Sequence, residues 1–525
     1  MGERRARLSA DARFPVAWPG VRVTTAAEAR ALDAEAVARG VPSRALMRVA
    51  GHAAASEITR RHAFNLARGV AVYAGPGNNG GDAWVVAQAL AAAGVAVSVR
   101  AVGEARTDDG AAERAEASRF GFPDPHGGEG IIVDGLLGIG ARGAPTGEVA
   151  AAIAEIRARR AGGATIVALD VPSGLDADTG EWYGELSVEA HCTLTFGSCK
   201  RGLLVARARA GAVVVLDIGL GGPLALGVPL AEGRRVHAML PAFAAAGHKG
   251  TRGKVLIVGG APGMSGAVIL AARASLAAGA GMVKVVAHAE SLGAIQAAVP
   301  PALTAPWPRT DAEAGELMAW ADGCVIGPGL GGEGARALVT RLLSATPTRV
   351  VLDADALNAF ALDVRELGRV LSGHSALITP HPAEVARLTG TPLADVLATR
   401  FEAGRDLARV LGCAVLFKGV PTIVSSASGG VAISATGTPA LSTGGSGDVL
   451  SGIAGTLLTQ LDDAANAGVL AAWLHGRAAE VAQGPRSPRA ITLDDVVVAL
   501  PSLWDEAPET PRSGILTELP AVRER

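Results

Sequence analysis

Short β-branched runs alternate with alanine-rich stretches along almost the whole chain, and this alternation limits the fold more than any other feature. In the first half the runs are GVAVYAG (69–75), AVSVRAV (96–102), IIVDGLLG (131–138), TIVALDVPSG (165–174) and CTLTFG (192–197). In the second half they are KVLIVGG (254–260), MVKVVA (282–287), GCVIGPG (323–329), RVVLDAD (349–355), ALITPH (376–381), AVLFKG (414–419) and TIVSS (422–426). Helical patterns such as AWVVAQALAAAG (83–94) lie between them. Strands that are apolar throughout are buried on both faces, and the intervening helices supply the crossovers that parallel pairing needs. The expected fold class is α/β, with parallel sheets covered by helices.

Length sets the number of domains. At 525 residues the chain is too long for one ordinary core. The pattern loosens across 219–253 and a new strand starts at Lys254, which places the boundary near 235. Two three-layer α/β/α domains are expected, at 1–235 and 236–506, followed by a loose polar tail at 507–525. Hydrophobic residues at 49% and charged residues at 19% exclude disorder. A formal net charge of −2 offers no basic field for nucleic acid. The basic start, MGERRARLSADARFPVAWPG, is followed by no apolar signal core. The longest apolar stretch, 268–287, carries Arg273 and Lys284, so it reads as a buried helix and strand rather than a membrane span. Cys192, Cys199, Cys324 and Cys413 have no zinc or redox spacing and read as free buried thiols. A soluble, cytoplasmic protein with no membrane or nucleic-acid partner is expected.

Chemistry concentrates at strand ends. GVAVYAGPGNNGGDAWVVAQALAAAG reads as strand, glycine-rich turn and helix. Gly75, Gly77, Gly80 and Gly81 permit the turn and let a ligand reach the backbone, and the helix start favours an anion such as a pyrophosphate. A capped tight turn is the plainer reading. Two asparagines and an aspartate among four glycines exceed what a cap needs. Asp134 lies just past one strand; Asp170, Ser173, Asp176 and Asp178 lie just past another. Oxygens of Asn79, Asp134 and Ser173 can converge on a hard cation. Asp176 and Asp178, in the turn-like LDADTG, read as caps of their own loop.

The second half carries TGGSGDVLSGIAGTLL, a glycine loop entering a small-residue helix. Amides of Gly445 to Gly447 at a helix start form an anion hole for a phosphoryl group in transfer. Asp448, one residue on, can take a proton from a hydroxyl that attacks the phosphorus. An N-cap needs one glycine at most, so a purely structural role explains the run poorly. Lys418 ends the strand of AVLFKGVPTIV and can meet a phosphate. His381 and Glu384 in TPHPAEVARL fit a substrate contact and a capped turn about equally. Asp353, Asp355 and Asn358 in VVLDADALNAF share that ambiguity. No Walker loop is present, because His248 stands where its first glycine belongs and Val255 follows Lys254. GPGLGG (327–332) echoes a dinucleotide motif but reads as a structural turn.

GPGNNGGD, VDGLLGIGARG, ALDVPSGLDADTG and LTFGSCKRGL, in that order over roughly residues 20–220, resemble the NAD(P)H-hydrate epimerases. That family is Rossmann-like and interconverts the R and S epimers of nicotinamide cofactors hydrated at C6. The resemblance implies that Asn78, Asn79, Gly80, Gly81 and Asp82 contact the hydrated cofactor. It implies the same for Asp170 and for the loop Gly138, Ile139, Gly140, Ala141, Arg142, Gly143 and Ala144. Asn79, Asp134 and Ser173 would hold a potassium ion, Asp170 would be the general acid/base, and Lys200 would meet a phosphate. Ala83 and Trp84 replace the family's usual Gly-Tyr, and the larger ring can still stack on a flat base. Arg48 replaces a usual acid in LMRVAG.

AGHKGTRGKVLIVGGAPGMSGAVILAARASLAAGAGMV, VIGPGLG, LDADALN, ITPHPAE, LFKGVPTIV and STGGSGDVLSGIAGTLL span about residues 240–500. Together they resemble the ADP/ATP-dependent NAD(P)H-hydrate dehydratases, of ribokinase-like fold. The resemblance implies that Ala267, Gly329 and His381 contact the hydrated cofactor. Lys418, Gly419, Val420, Pro421, Thr422 and Gly447 would bind ADP or ATP, and Asp448 would act on the substrate hydroxyl. Pro421 removes one backbone donor that the family has, and Thr438 stands near the family's usual Asn. Magnesium would shield the phosphate charge. The implied substrates are NADHX and NADPHX, and a homo-oligomer is expected. The alternative is a small-molecule kinase behind a non-catalytic binding domain; an isolable phosphorylated product would mark it.

Overall fold

The computed structural model describes residues 20–222, 226–240, 242–243, 245–506 and 512–523. Between Val228 and Pro229 the chain passes from one compact unit to another. No helix among the described residues is long and apolar enough to cross a membrane.

The first unit is built on a seven-stranded sheet. Across it lie Ile515–Leu519, Ala212–Leu216, Cys192–Phe196, Thr165–Leu169, Ile131–Gly135, Val70–Ala74 and Val97–Ala101. All neighbours are parallel except the first pair. Both faces are buried, which is why the strands read as unbroken apolar runs. Val72, Val133 and Val167 pack into one cluster, while Ala71, Tyr73, Ile132 and Ile166 face another. The strand order reverses between Val70–Ala74 and Ile131–Gly135. In open α/β sheets the ligand crevice opens at such a point, beyond the carboxyl ends of the strands.

The second unit carries a nine-stranded sheet. Its order is Leu303–Pro306, Met282–Ala287, Lys254–Val258, Gly323–Ile326, Arg349–Leu352, Ser375–Ile378, Ala414–Phe417, Thr422–Ser425 and Val431–Ser434. The last two pairings are antiparallel hairpins and the rest are parallel. Here the order reverses between Lys254–Val258 and Gly323–Ile326. Helix Ser446–Gln460 is buried along almost its whole length. Its glycines permit this: a Cβ on Gly452 would collide with the Ala271 carbonyl, and one on Gly455 with the Val325 side chain. Ser275 Oγ donates to the Gly452 carbonyl at 2.9 Å and pins the two helices.

Two expectations about organisation change. The tail expected to be loose contains the strand Ile515–Leu519, which pairs antiparallel with Ala212–Leu216. Glu518 pairs with Arg61 at 2.9 Å, and Arg207 donates to the Pro520 carbonyl at 2.6 Å. An open sheet edge presents unpaired backbone groups, and this strand satisfies them. Residues 507–511 and 524–525 lie outside the described part. Trp84 does not stand ready to stack on a base, because it is packed into the core behind helix Asn78–Ala92. Arg48, with Arg44, clasps Glu113 and Glu116 on the helix Asp108–Ala117, at 2.7 and 2.6 Å for its own two contacts.

Two candidate active sites

Helix Asn78–Ala92 starts at the reversal point of the first sheet without a side-chain cap on Gly77. Most of its glycine signature serves packing. A Cβ on Gly75 would strike the Leu136 carbonyl, and one on Gly80 the Gly75 carbonyl. The turn can therefore close only as glycine, while Gly77 faces open space. Asn78 is exposed and Asn79 buried. Asn79 Nδ2 donates to the Leu137 carbonyl at 2.9 Å, and its Oδ1 is buried with no hydrogen-bond partner.

Asp134 lies near the end of its strand rather than past it, and is fully buried. It accepts Ser173 Oγ at 2.6 Å and the Ser173 amide at 2.8 Å. Burial raises its carboxyl to about 6, against these hydrogen bonds. Asn79, Asp134 and Ser173 thus come together around Leu137. An orphaned amide oxygen beside a buried carboxylate is a donor set suited to a hard cation.

Asp170 follows the next strand with φ of 61°, a left-handed backbone that non-glycine residues rarely hold. Its Oδ1 lies 2.6 Å from Lys200 Nζ and accepts Thr195 Oγ1 at 3.2 Å. Lys200 is only 2% exposed. Its ammonium also donates to Thr195 Oγ1 and to the Phe196 and Ser198 carbonyls at 3.0, 2.9 and 3.2 Å. The expected phosphate contact of Lys200 is therefore replaced by an internal ion pair, since a lysine buried this deeply needs its partners inside. Asp82 is buried nearby, and its carboxyl is held well above the usual range by burial and then by Asp170 and Asp33. Asp33, on helix Ala26–Ala38, is raised by burial as well. A carboxyl that holds its proton more tightly than usual, beside an ion-paired one, makes a pair suited to proton transfer.

The loop from Gly138 to Ala144 borders this crevice. Gly138 abuts Asn79, whereas Arg142 lies 3.8 Å from both Asp176 and Asp178. Asp176 caps its own turn by accepting the Asp178 and Thr179 amides, each at 2.8 Å. Asp178 does not cap its own turn; it accepts the Ala26 amide at 2.5 Å and fixes the start of the first helix.

In the second unit Asp448 sits in the first turn of helix Ser446–Gln460, behind Gly445 in a left-handed conformation. Its carboxyl is pushed up to about 7, by burial first and then by Asp353, with Lys418 working against them. Lys418 Nζ lies 2.8 Å from Asp353 Oδ1 and 3.7 Å from Glu384 Oε2. Burial works to lower this ammonium's pKa, but the two carboxylates outweigh it and raise it. A Cβ on Gly447 would stand 3.3 Å from Lys418 Nζ and 3.6 Å from Asp353 Oδ2. The bare glycine thus leaves the helix start open to the lysine.

His381 and Glu384 form a reciprocal cap on helix Pro382–Thr389. Nδ1 of the imidazole accepts the Ala383 and Glu384 amides at 3.1 and 3.3 Å, and Nε2 lies 3.5 Å from Glu384 Oε1, so the cap engages both ring nitrogens. Asp355 accepts the Gly331 amide at 2.9 Å, tying that strand end to the glycine turn. Between Asp353 and Asp355, Ala354 has φ of 49°, a second strained backbone at a strand end. Gly329 faces Ala267: a Cβ there would lie 3.1 Å from Ala267 Cβ. Both stand at the reversal point of the sheet. Val420–Pro421 is a cis peptide in the exposed turn after Lys418.

Sequence reasoning missed Asp33 and His475. His475 is buried behind the Gly445–Gly447 loop, with Nε2 3.4 Å from Ser446 Oγ. Burial lowers it to about 4, so it stands there neutral. A lone histidine in the apolar helix AAWLHGRAAE was the available signal. Asp33 gives none, being one acid on an ordinary alanine-rich helix.

Comparison with known proteins follows the same division. Residues 255–501 match the NAD(P)H-hydrate dehydratase family model, and residues 43–202 match the YjeF-related protein N-terminus. The chain is 37% identical to the bifunctional NAD(P)H-hydrate repair enzyme Nnr of Moorella thermoacetica, covering 91% of this chain and 96% of that protein. It is 34% identical to the Escherichia coli enzyme of the same name, covering 84% and 86%. Among solved structures it is similar to the ADP/ATP-dependent NAD(P)H-hydrate dehydratase of Bacillus subtilis co-crystallised with ATP/Mg2+. There the identity is 29%, the coverage 54% of this chain and 99% of that one, and the TM-score 0.48.

Proposed function

Because the chain belongs to the bifunctional NAD(P)H-hydrate repair enzymes, we propose that its first unit epimerises R- and S-NAD(P)HX and its second dehydrates the S form to NAD(P)H, consuming ADP or ATP. The observation that carries the second activity is the raised, buried carboxyl of Asp448, one residue after the bare Gly447 that faces Lys418.

In the first site Asp170 moves the proton that lets the C6 hydroxyl leave and return on the other face. Lys200 fixes Asp170, and Asp82, whose carboxyl burial holds well above the usual range, is the second acid available to the departing oxygen. Asn79, Asp134 and Ser173 fit a potassium ion, which when bound would supply positive charge to a phosphate or hydroxyl oxygen of the substrate. The crevice edge formed by Asn78, Gly80, Gly81 and the 138–144 loop would hold the nucleotide.

In the second site Asp448 takes the proton of the C6 hydroxyl as that oxygen attacks the terminal phosphorus of the nucleotide. The bond from that phosphorus to its bridging oxygen breaks, releasing AMP from ADP or ADP from ATP. The ring nitrogen's lone pair then expels phosphate from C6, and loss of a proton from C5 restores the double bond. Lys418 and the amides of the Gly445–Gly447 loop stabilise charge on the phosphoryl oxygens, and the turn through Thr422 borders the nucleotide. No group of three or more His, Cys, Asp or Glu among the described residues could hold a metal. Magnesium would therefore be held by one or two carboxylates such as Asp353 and by the nucleotide's own phosphates, shielding their charge.

The cytoplasm is the compartment this reading assigns, since its reducing poise keeps all four buried thiols free. A homo-oligomer is part of the reading too, and light scattering tests it. The functional test is to incubate the protein with mixed R- and S-hydrates plus ADP or ATP and to follow the reduced-nicotinamide absorbance. Full recovery is expected. Recovery of half would remove the epimerase, and none with either nucleotide would remove the dehydratase.

A further inference from the structure

A cavity of about 260 Å3 opens beside the reversal point of the second sheet. Trp307, Pro308, Leu330, Ala337, Leu338 and Arg341 are among its lining residues. None of them belongs to the phosphoryl-transfer machinery. Trp307 is held rigidly: its indole N–H donates to the Gly259 carbonyl at 2.9 Å, and His288 packs edge-on at 5.4 Å between ring centroids. Arg341 spans the cavity rim, with Nε 3.1 Å from Asp311 and Nη1 donating to the Pro308 carbonyl at 3.3 Å. Asp311 is 94% exposed, so that ion pair is well solvated and gives way easily.

Resting on the dehydratase reading, we propose that this cavity seats the adenosine end of the hydrated dinucleotide. Leu330 in its wall directly follows Gly329, which faces Ala267 where the hydrated ring would lie. The ring must bring its C6 hydroxyl to Asp448, toward Arg349–Leu352 and beyond. The adenine nucleotide takes the crevice on that side, by Lys418–Thr422. The remainder of a dinucleotide can then run only the other way along the carboxyl edge, over Gly259 to Trp307. The volume falls just below the roughly 300–1,000 Å3 of pockets for whole drug-sized ligands, which suits one nucleoside. A fixed indole gives a base a stacking face, and a guanidinium at the rim meets a phosphate. That phosphate is either the pyrophosphate or the 2′-phosphate of NADPHX.

The test uses the full chain, ADP, and three S-hydrates: those of NADH, NADPH and reduced nicotinamide mononucleotide. Ala337 is exposed on its helix, so Ala337→Trp fills the cavity from outside without disturbing the core. Ala337→Trp and Trp307→Ala should each raise KM for both dinucleotide hydrates about tenfold or more. KM for ADP and turnover of the mononucleotide hydrate should not change. Arg341→Ala should raise KM for NADPHX alone if it meets the 2′-phosphate, or for both dinucleotides if it meets the pyrophosphate. Unchanged KM for both dinucleotides in Ala337→Trp and Trp307→Ala would overturn the proposal, as would an equal rise with the mononucleotide. Wild-type protein inactive on all three hydrates would instead overturn the dehydratase reading on which it rests.

Discussion

Lys200 Nζ lies 2.6 Å from Asp170 Oδ1 in a site where the lysine is 2% exposed, so each charge is the other's main compensation. Removing one partner of a buried pair leaves the other uncompensated, at a cost of about 3–5 kcal/mol. Asp170→Asn and Lys200→Met should therefore each destabilise the first unit by about that range in urea unfolding. The double variant should regain most of the loss, because both charges are gone. Epimerisation should stay about 10²- to 10⁴-fold down in the double variant, since the proposed proton carrier is absent. Single variants as stable as wild type would show that the pair is not buried as described.

On the proposed mechanism the Asp448 carboxyl, pushed up to about 7 by burial, should set the pH dependence of dehydration. A general base acts only when deprotonated. kcat/KM, which reports the free enzyme, should rise about tenfold per pH unit below about 7 and level off above it. Measuring kcat/KM for the S-hydrate from pH 5.5 to 9 checks this. A flat profile over that range would remove Asp448 from the role of base.

The pair of glycine loops, the strand-end acids and the alternation that makes two parallel sheets were all legible in the sequence. They are local patterns whose spacing directly sets where a strand ends and a helix begins. Three things were not. Lys200 follows a strand as phosphate-binding lysines do, and only the fold shows the Thr195, Phe196 and Ser198 oxygens closing around it. Leu303–Pro306 and Val431–Ser434 are short edge strands, set by pairing with neighbours rather than by their own pattern. Ile515–Leu519 joins a strand about 300 residues earlier, and no local signal carries such a pairing.

Gly452 tests how helix Ser446–Gln460 holds the Gly445–Gly447 loop in place. A Cβ there would collide with the Ala271 carbonyl, a backbone atom that cannot rotate away. Gly452→Ala should push the helix from its neighbour and cost about 1–3 kcal/mol. The loop at its start would move with it, so KM for ADP should rise while epimerase activity is unchanged. Wild-type stability in the Gly452→Ala variant would show that the helices pack less closely than this.

The carboxyl proposed as the base of the second site should also weaken the fold above neutrality. Unfolded, Asp448 titrates near the ordinary 3.8; folded, near 7. Between these values the folded state keeps a proton that the unfolded state has released. Its contribution to stability is full below about pH 4 and is lost as pH rises through 7, by at most about 4 kcal/mol. Asp448→Asn carries no such charge. It should melt higher than wild type at pH 8 and equal to it at pH 4, with dehydration abolished. An Asn variant no more stable than wild type at pH 8 contradicts the raised pKa.

The carboxyl-terminal strand should matter to the first unit although it ends the chain after the second. Ile515–Leu519 covers the open edge of Ala212–Leu216 through four paired positions, Glu518 among them, whose carboxylate also meets Arg61. Cross-strand pairs contribute roughly 0.2–1 kcal/mol each, so a chain ending at Glu506 should lose about 1–4 kcal/mol from the first unit alone. Epimerase activity should decay faster on heating, while dehydratase activity decays as in the full chain. The uncovered edge is also a template for pairing with another copy, so the truncated protein should gain concentration-dependent association on light scattering. Charge reversal at Glu518→Lys, which sets like charges against Arg61, should reproduce part of the heat sensitivity without the association. Truncation that leaves the thermal decay of epimerase activity unchanged would mean that the strand only rests on the sheet.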